Sequence, residues 1–202
     1  GFNFMEFYEN EKVIVNPLPL AQVISPTTVC EGESISIGAS AVPGNSYSWT
    51  SIPAGFTSTL ANPNVNSTYT NETREYILTE TTPEGCTFTN AVTVTVEKSP
   101  IVDAGSDVLI CEGEVYGFTN SATELHTASI EWTHSGNGTL EFPNTISPNY
   151  TPGVGETGTV VFTLTGLPNN PCSDEVSDTF TLTITPKPTA DAGTGGTFCG
   201  DD

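Results

Sequence analysis

Val92-Thr93-Val94-Thr95-Val96 and Phe180-Thr181-Leu182-Thr183-Ile184-Thr185 alternate an apolar residue with a threonine over their whole length. Such a period of two places one row of side chains in a core and the other in solvent, as in a half-buried β-strand. Both runs end at prolines, through Glu97-Lys98-Ser99-Pro100 and Pro186-Lys187-Pro188, and Lys12-Val13-Ile14-Val15-Asn16-Pro17 has the same form. The pattern predicts strands near 19–24, 34–39, 46–50, 76–82 and 87–96, with weaker ones between Phe56 and Tyr69. A second series falls near 115–119, 129–133, 158–165 and 179–185. Turn-forming runs separate them, including Pro43-Gly44-Asn45, Pro83-Glu84-Gly85 and Ser135-Gly136-Asn137-Gly138. No segment carries a helical stripe.

The elements recur. Val29-Cys30-Glu31-Gly32-Glu33 returns as Ile110-Cys111-Glu112-Gly113-Glu114, and Phe198-Cys199-Gly200-Asp201 starts a third copy. The steps are 81 (111 − 30) and 88 (199 − 111); Trp49 to Trp132 is 83 (132 − 49) and Cys86 to Cys172 is 86 (172 − 86). Each suits one sandwich module. The expected organisation is therefore the closing strand of a preceding module at 1–16, whole modules at 17–98 and 99–186, and the start of another at 187–202. The fold class that follows is all-β, as tandem antiparallel β-sandwich domains.

The second module runs Pro100-x-x-Asp103-Ala104-Gly105-x-Asp107, Cys111-Glu112-Gly113-Glu114, Glu131-Trp132-Thr133, then Thr159-Val160-Val161-Phe162-Thr163-Leu164-Thr165 and the closing alternation. Over nearly its whole length it resembles PKD-like modules. The first module departs from that pattern, with Gln22-Val23-Ile24 where the second has Asp103-Ala104-Gly105. The early Cys-x-Gly and the later Gly85-Cys86 are also similar to the Ig-like and PKD-like repeats of giant surface adhesins and gliding-motility proteins of Bacteroidetes, exported by the type IX system. That resemblance implies a structural or adhesive repeat at the cell surface, a stalk or spacer that displays a distal region. The same modules also serve as spacers or glycan-binding accessories of secreted polysaccharide-degrading enzymes, which is the alternative function.

Five cysteines stand at repeating places. The simplest scheme is one disulfide per module, Cys30 to Cys86 and Cys111 to Cys172, with the partner of Cys199 outside these residues. A rival joins Cys30 to Cys172 across neighbouring modules. The simpler scheme has a geometric difficulty, since Cys30 follows the first strand and Cys86 begins the last, points near opposite ends of a sandwich. Spacing does not choose between them. Both imply an oxidising, extracellular compartment, in which a closed loop of this size stabilises a module by roughly 2–4 kcal/mol.

Charge removes whole classes of partner. With 24 acidic against 4 basic residues the net charge is −20, which repels nucleic acid and anionic membranes. Charged residues are nonetheless only 14% and hydrophobic ones 36%, so the chain has the apolar content to fold. No run reaches the roughly eighteen apolar residues of a membrane span, and targeting signals are expected outside these residues. The expected partners are neighbouring modules of the same chain, surface glycans or other cell-surface proteins.

Candidate chemistry is sparse. Trp49 and Trp132 lie in short alternating strands and suit a core aromatic, with a sugar-stacking platform as the alternative. Asp103, Asp107 and Asp191 sit near module entrances, where carboxylates suit calcium, although Asp-Ala-Gly is also turn chemistry. His126 and His134 accompany no nucleophile or zinc motif, and no Cys-x-x-Cys occurs. No catalytic residues are assigned and no enzyme activity is expected. Four sequons, at Asn66, Asn71, Asn137 and Asn149, suit N-glycans in a eukaryotic secretory pathway; the resemblance to bacterial repeats implies that they are unused.

Overall fold

A computed structural model of the chain describes residues 14–68, 73–119, 121–196 and 200. The chain divides into two compact units, Gly1–Glu97 and Lys98–Asp202. The expected closing strand of a preceding module, and Cys199, fall largely or wholly outside the described residues.

Unit 1 contains β1 (Thr27–Cys30), β2 (Ser34–Ser36), β3 (Ser46–Ile52), β4 (Asn64–Asn66), β5 (Thr73–Thr81) and β6 (Thr87–Glu97). One sheet has the order β1-β6-β5-β3, and β2 pairs with β4 in the other. The β5–β6 hairpin sets the register, with Leu78 opposite Asn90 and Arg74 opposite Val94. Inward side chains from the two sheets, among them Ile37, Trp49, Val65, Tyr76, Leu78 and Val92, close the core.

Unit 2 repeats this ladder with additions. Its strands are β7 (Ile101–Asp103), β8 (Val108–Cys111), β9 (Tyr116–Gly117), β10 (Thr123–Leu125), β11 (Thr127–His134), β12 (Thr139–Glu141), β13 (Asn149–Thr151), β14 (Gly158–Pro168) and β15 (Val176–Thr185). One sheet has the order β8-β15-β14-β11, a second β12-β13-β9, and β7 pairs with β10. Trp132 opposes Leu164 as Trp49 opposes Leu78. Each tryptophan gives its backbone N–H to a carbonyl of the segment that follows, Ser58 or Pro143, at 2.8 Å.

The structure revises the expected antiparallel sandwich at one pairing in each unit: β1 runs parallel to β6, and β8 parallel to β15. It also moves the first strand. Residues 19–24 form no regular ladder, because prolines at 17 and 19 lack an N–H and Ala21 takes a φ of 44°. That segment lies instead along the second sheet, with Ile24 N–H on the Ile37 carbonyl at 3.2 Å. Past Pro26 the chain crosses to the first sheet as β1. In unit 2 the crossing is made at Asp103-Ala104-Gly105, between β7 and β8.

Candidate functional site

The repeated Cys-Glu-Gly-Glu is a turn. The Glu33 N–H returns to the Cys30 carbonyl and the Glu114 N–H to the Cys111 carbonyl, both at 3.1 Å. Gly32 and Gly113 take φ of +87° and +79°, the left-handed conformation that the third residue of a type II turn requires. The glutamate closes the turn a second time, since the Cys30 N–H donates to Glu33 Oε2 and the Cys111 N–H to Glu114 Oε2, again at 3.1 Å. The motif therefore ends the first strand of the main sheet and holds its cysteine beside the end of the last strand, where Cys30 opposes Glu97 and Cys111 opposes Thr185.

The other cysteine lies at the far end. Cys86 precedes β6 in the turn from β5, where its N–H meets Thr82 Oγ1 at 3.3 Å. From Thr87 to Glu97 is ten steps (97 − 87) along the eleven residues of β6, about 33 Å of strand. A disulfide brings Cα atoms to roughly 4.4–6.8 Å. Unit 2 has the same separation, with Cys172 ahead of Val176 and Cys111 beside Thr185. One disulfide per module is therefore not what the structure has. Cys30 and Cys172 are disulfide-bonded, whereas Cys86 and Cys111 are free thiols. The sequence had already signalled the difficulty, by placing the two cysteines of a module after its first strand and before its last.

Trp49 and Trp132 are 1% and 2% exposed, so neither offers a ring face to a sugar. Asp103 Oδ1 accepts the Gly105 N–H, Asp191 Oδ1 the Gly193 N–H and Asp107 Oδ1 the Thr181 N–H, each at 2.8 Å. The Ala104 N–H at the sheet crossing goes to Asp178 Oδ2 at 2.8 Å. These carboxylates are thus engaged by backbone. Among the described residues no three His, Cys, Asp or Glu side chains gather as a metal site requires.

Two polar clusters escaped sequence reasoning. In unit 1 the 3% exposed Glu80 accepts the Ala21 N–H at 2.7 Å and the Asn45 amide at 2.6 Å. It lines a cleft of about 320 Å³ with Leu18, Leu20, Val42, Tyr47 and Leu78. A signal for Glu80 exists, since it occupies the inward phase after Tyr76 and Leu78. In unit 2 the Tyr150 hydroxyl donates to Glu156 at 2.9 Å and accepts the Gly138 N–H at 2.9 Å. Glu156 also takes the N–H of Asn137 at 2.6 Å and of Gly153 at 2.7 Å. Burial, with the neighbouring Glu156, pushes the Tyr150 phenol up to about 12. Burial alone would raise the Glu156 carboxyl, but the donors of Asn137, Gly153 and Tyr150, helped by His134, hold it below its ordinary value. The cluster ties two loops of unit 2 together. Nothing preceding Glu156 in the sequence marks it.

No family model and no curated protein matches the chain. Solved structures do. Hemolin, an insect immune protein, matches with a TM-score of 0.50 at 14% identity, over 89% of this chain and 49% of hemolin. The human desmocollin-1 ectodomain matches with a TM-score of 0.50 at 13% identity, over 86% of this chain and 42% of that one. The chain thus spans about half the length of these structures or less. At such identities the likeness is one of fold, and the fold is that of Ig-like β-sandwich domains.

Proposed function

We propose that this chain is a structural and adhesive repeat segment of a large extracellular surface protein, a spacer that holds a distal adhesive region away from the cell. The observation that carries the reading is repetition of scaffold without repetition of a reactive site. Both units build the same parallel-edged ladder and end its first strand in the same Cys-Glu-Gly-Glu turn, yet the polar clusters of one are absent from the matching places of the other. Oxidised Cys30 and Cys172 support an extracellular place, as does the likeness to an ectodomain and to a protein whose structure was described as having implications for homophilic adhesion. The resemblance to Bacteroidetes repeats makes a gliding-motility or adhesin protein exported by the type IX system the specific form of this reading. In-frame deletion of residues 17–186 from the parent should reduce surface adhesion or gliding while leaving secretion intact; unchanged adhesion and gliding would reject it.

The cleft beside Glu80 favours a second reading, an accessory glycan-binding module of a secreted polysaccharide-degrading enzyme. A glycan array probed with this chain tests it, and binding lost in Tyr47→Ala would support it.

A further inference from the structure

The cleft beside Glu80 lies wholly within unit 1, between the entering segment, the loop from β2 to β3 and the end of β5. Its buried lining includes Leu78 and Glu80, and its rim is apolar, with Leu18, Leu20 and Val42 exposed by 61%, 70% and 50%. Both oxygens of Glu80 are acceptors, Oε2 for the Ala21 N–H at 2.7 Å and Oε1 for the Asn45 amide at 2.6 Å. Neither donor is charged, and among the described residues no basic side chain meets Glu80. A carboxylate offers about four acceptor positions, so two stay open beside the cleft. Burying a charge without a counter-charge is costly, and tying down the entering chain does not demand it. Unit 2 holds the Ala104 N–H with Asp178 at a half-buried position, and in unit 1 the neutral amide of Asn90 already serves the Ala21 carbonyl.

We propose that this cleft receives a lysine side chain from a protein partner, with its ammonium on Glu80 and its aliphatic stem and apolar neighbours against Leu18, Leu20 and Val42. The charge at the base calls for a cation, and Glu84 on the lining adds a second charge of the same sign. The rim calls for methylene and methyl groups, which a lysine stem supplies ahead of its charged tip. An arginine fork is the poorer fit, because bidentate pairing needs both carboxylate oxygens and each already holds a donor. A compact ammonium needs only one remaining position. The net charge of −20 draws such a partner toward the chain. A neutral sugar would leave Glu80 without a counter-charge, so the lysine differs from the glycan reading of the same cleft. It goes beyond the spacer reading and does not depend on it.

The test is titration of the isotope-labelled 202-residue chain with the capped tripeptide Leu-Lys-Leu, followed at the Ala21 backbone amide and the Asn45 side-chain amide by NMR. Both resonances should move and saturate. Replacing the lysine of the peptide by Nε-acetyl-lysine or norleucine should weaken binding at least about ten-fold, and added salt should weaken binding of the lysine peptide. Glu80→Gln should bring a similar loss. Leu20→Ser, at an exposed position that spares the core, should weaken binding by a smaller factor with Trp49 emission unchanged, so the proposal stays testable if Glu80→Gln does not fold. Resonances unmoved by Leu-Lys-Leu in the wild-type chain overturn the proposal, as do equal binding of the acetyl-lysine peptide and unaltered affinity in Leu20→Ser. Movement with a neutral glycan and not with the lysine peptide also overturns it, and leaves the glycan reading standing.

Discussion

The inward phase of β5 in unit 1 runs Arg74, Tyr76, Leu78, Glu80, whereas the same phase of β14 in unit 2 runs Val160, Phe162, Leu164, Gly166. One ladder therefore encloses two kinds of interior. Unit 1 buries two charged side chains among mainly aliphatic neighbours, with the Arg74 guanidinium on Ser51 Oγ and the Pro53 carbonyl at 3.0 Å. Unit 2 packs Tyr116, Phe118, Trp132, Tyr150, Phe162 and Phe180 together, with Phe162 and Phe180 stacked at 5.1 Å. The same backbone demand is met from different strands. The N–H of Ala21 goes to Glu80 on β5, and that of its counterpart Ala104 goes to Asp178 on β15. Asn90, at the place of Asp178, serves the Ala21 carbonyl instead. What the two modules share is the requirement that the entering chain be tied to the sheet, and either neighbouring strand can supply the tie.

The largest effect should come from the aromatic interior. Phe180 touches the rings of Tyr116, Phe118, Trp132 and Phe162, and Phe180→Ala should cost unit 2 about 3–5 kcal/mol. Urea unfolding followed by Trp132 in a Trp49→Phe background should show it, while Trp49 in a Trp132→Phe background reports an unmoved unit 1. A common shift would mean that the interiors are not energetically separate.

Glu80→Ala strands the Ala21 N–H and the Asn45 amide, and should destabilise unit 1 by about 2–3 kcal/mol. Asp178→Ala, at a half-buried position, should cost unit 2 about 1–2 kcal/mol. Equal losses would remove the distinction between a buried and a peripheral tie. Glu156→Ala should cost unit 2 about 1–2 kcal/mol and leave unit 1 untouched. Because the folded Glu156 carboxyl titrates below its ordinary 4.5, its contribution is complete above that value and is lost as pH falls through the lower folded value. Acid titration of Trp132 emission in the wild-type and Glu156→Gln chains should therefore converge at low pH. The smallest effect should be the one the units share: Gly32→Ala and Gly113→Ala each impose left-handed strain of about 1–2 kcal/mol without a backbone clash, and matching losses would confirm that the turn does the same work in both.

The long strands were legible because β5, β14 and β15 alternate over nine to eleven residues and β6 over its second half, enough for burial to write a period into the sequence. Strands β9, β12 and β13 have two or three residues, too few for a period, and are fixed by pairing partners distant in the chain. The first strand of unit 1 was misplaced for a related reason. Residues 19–24 look apolar and extended, but prolines and a sheet crossing prevent a ladder there. The cysteine pairing was misread because spacing counts residues along the chain, whereas the bond is decided by which end of β6 or β15 each sulfur occupies.

The parallel pairing of β1 with β6 sets how a module would respond if its two termini were drawn apart. Four register pairs, from Thr27–Val94 to Cys30–Glu97, join the incoming segment to the outgoing strand, and β8 and β15 repeat the arrangement from Val108–Leu182 to Cys111–Thr185. Tension along the chain slides these strands past one another, so the hydrogen bonds of the patch meet it in shear and must rupture together, whereas a hairpin pulled from its open end unzips one bond at a time. A short strand of four residues thereby becomes a mechanical latch.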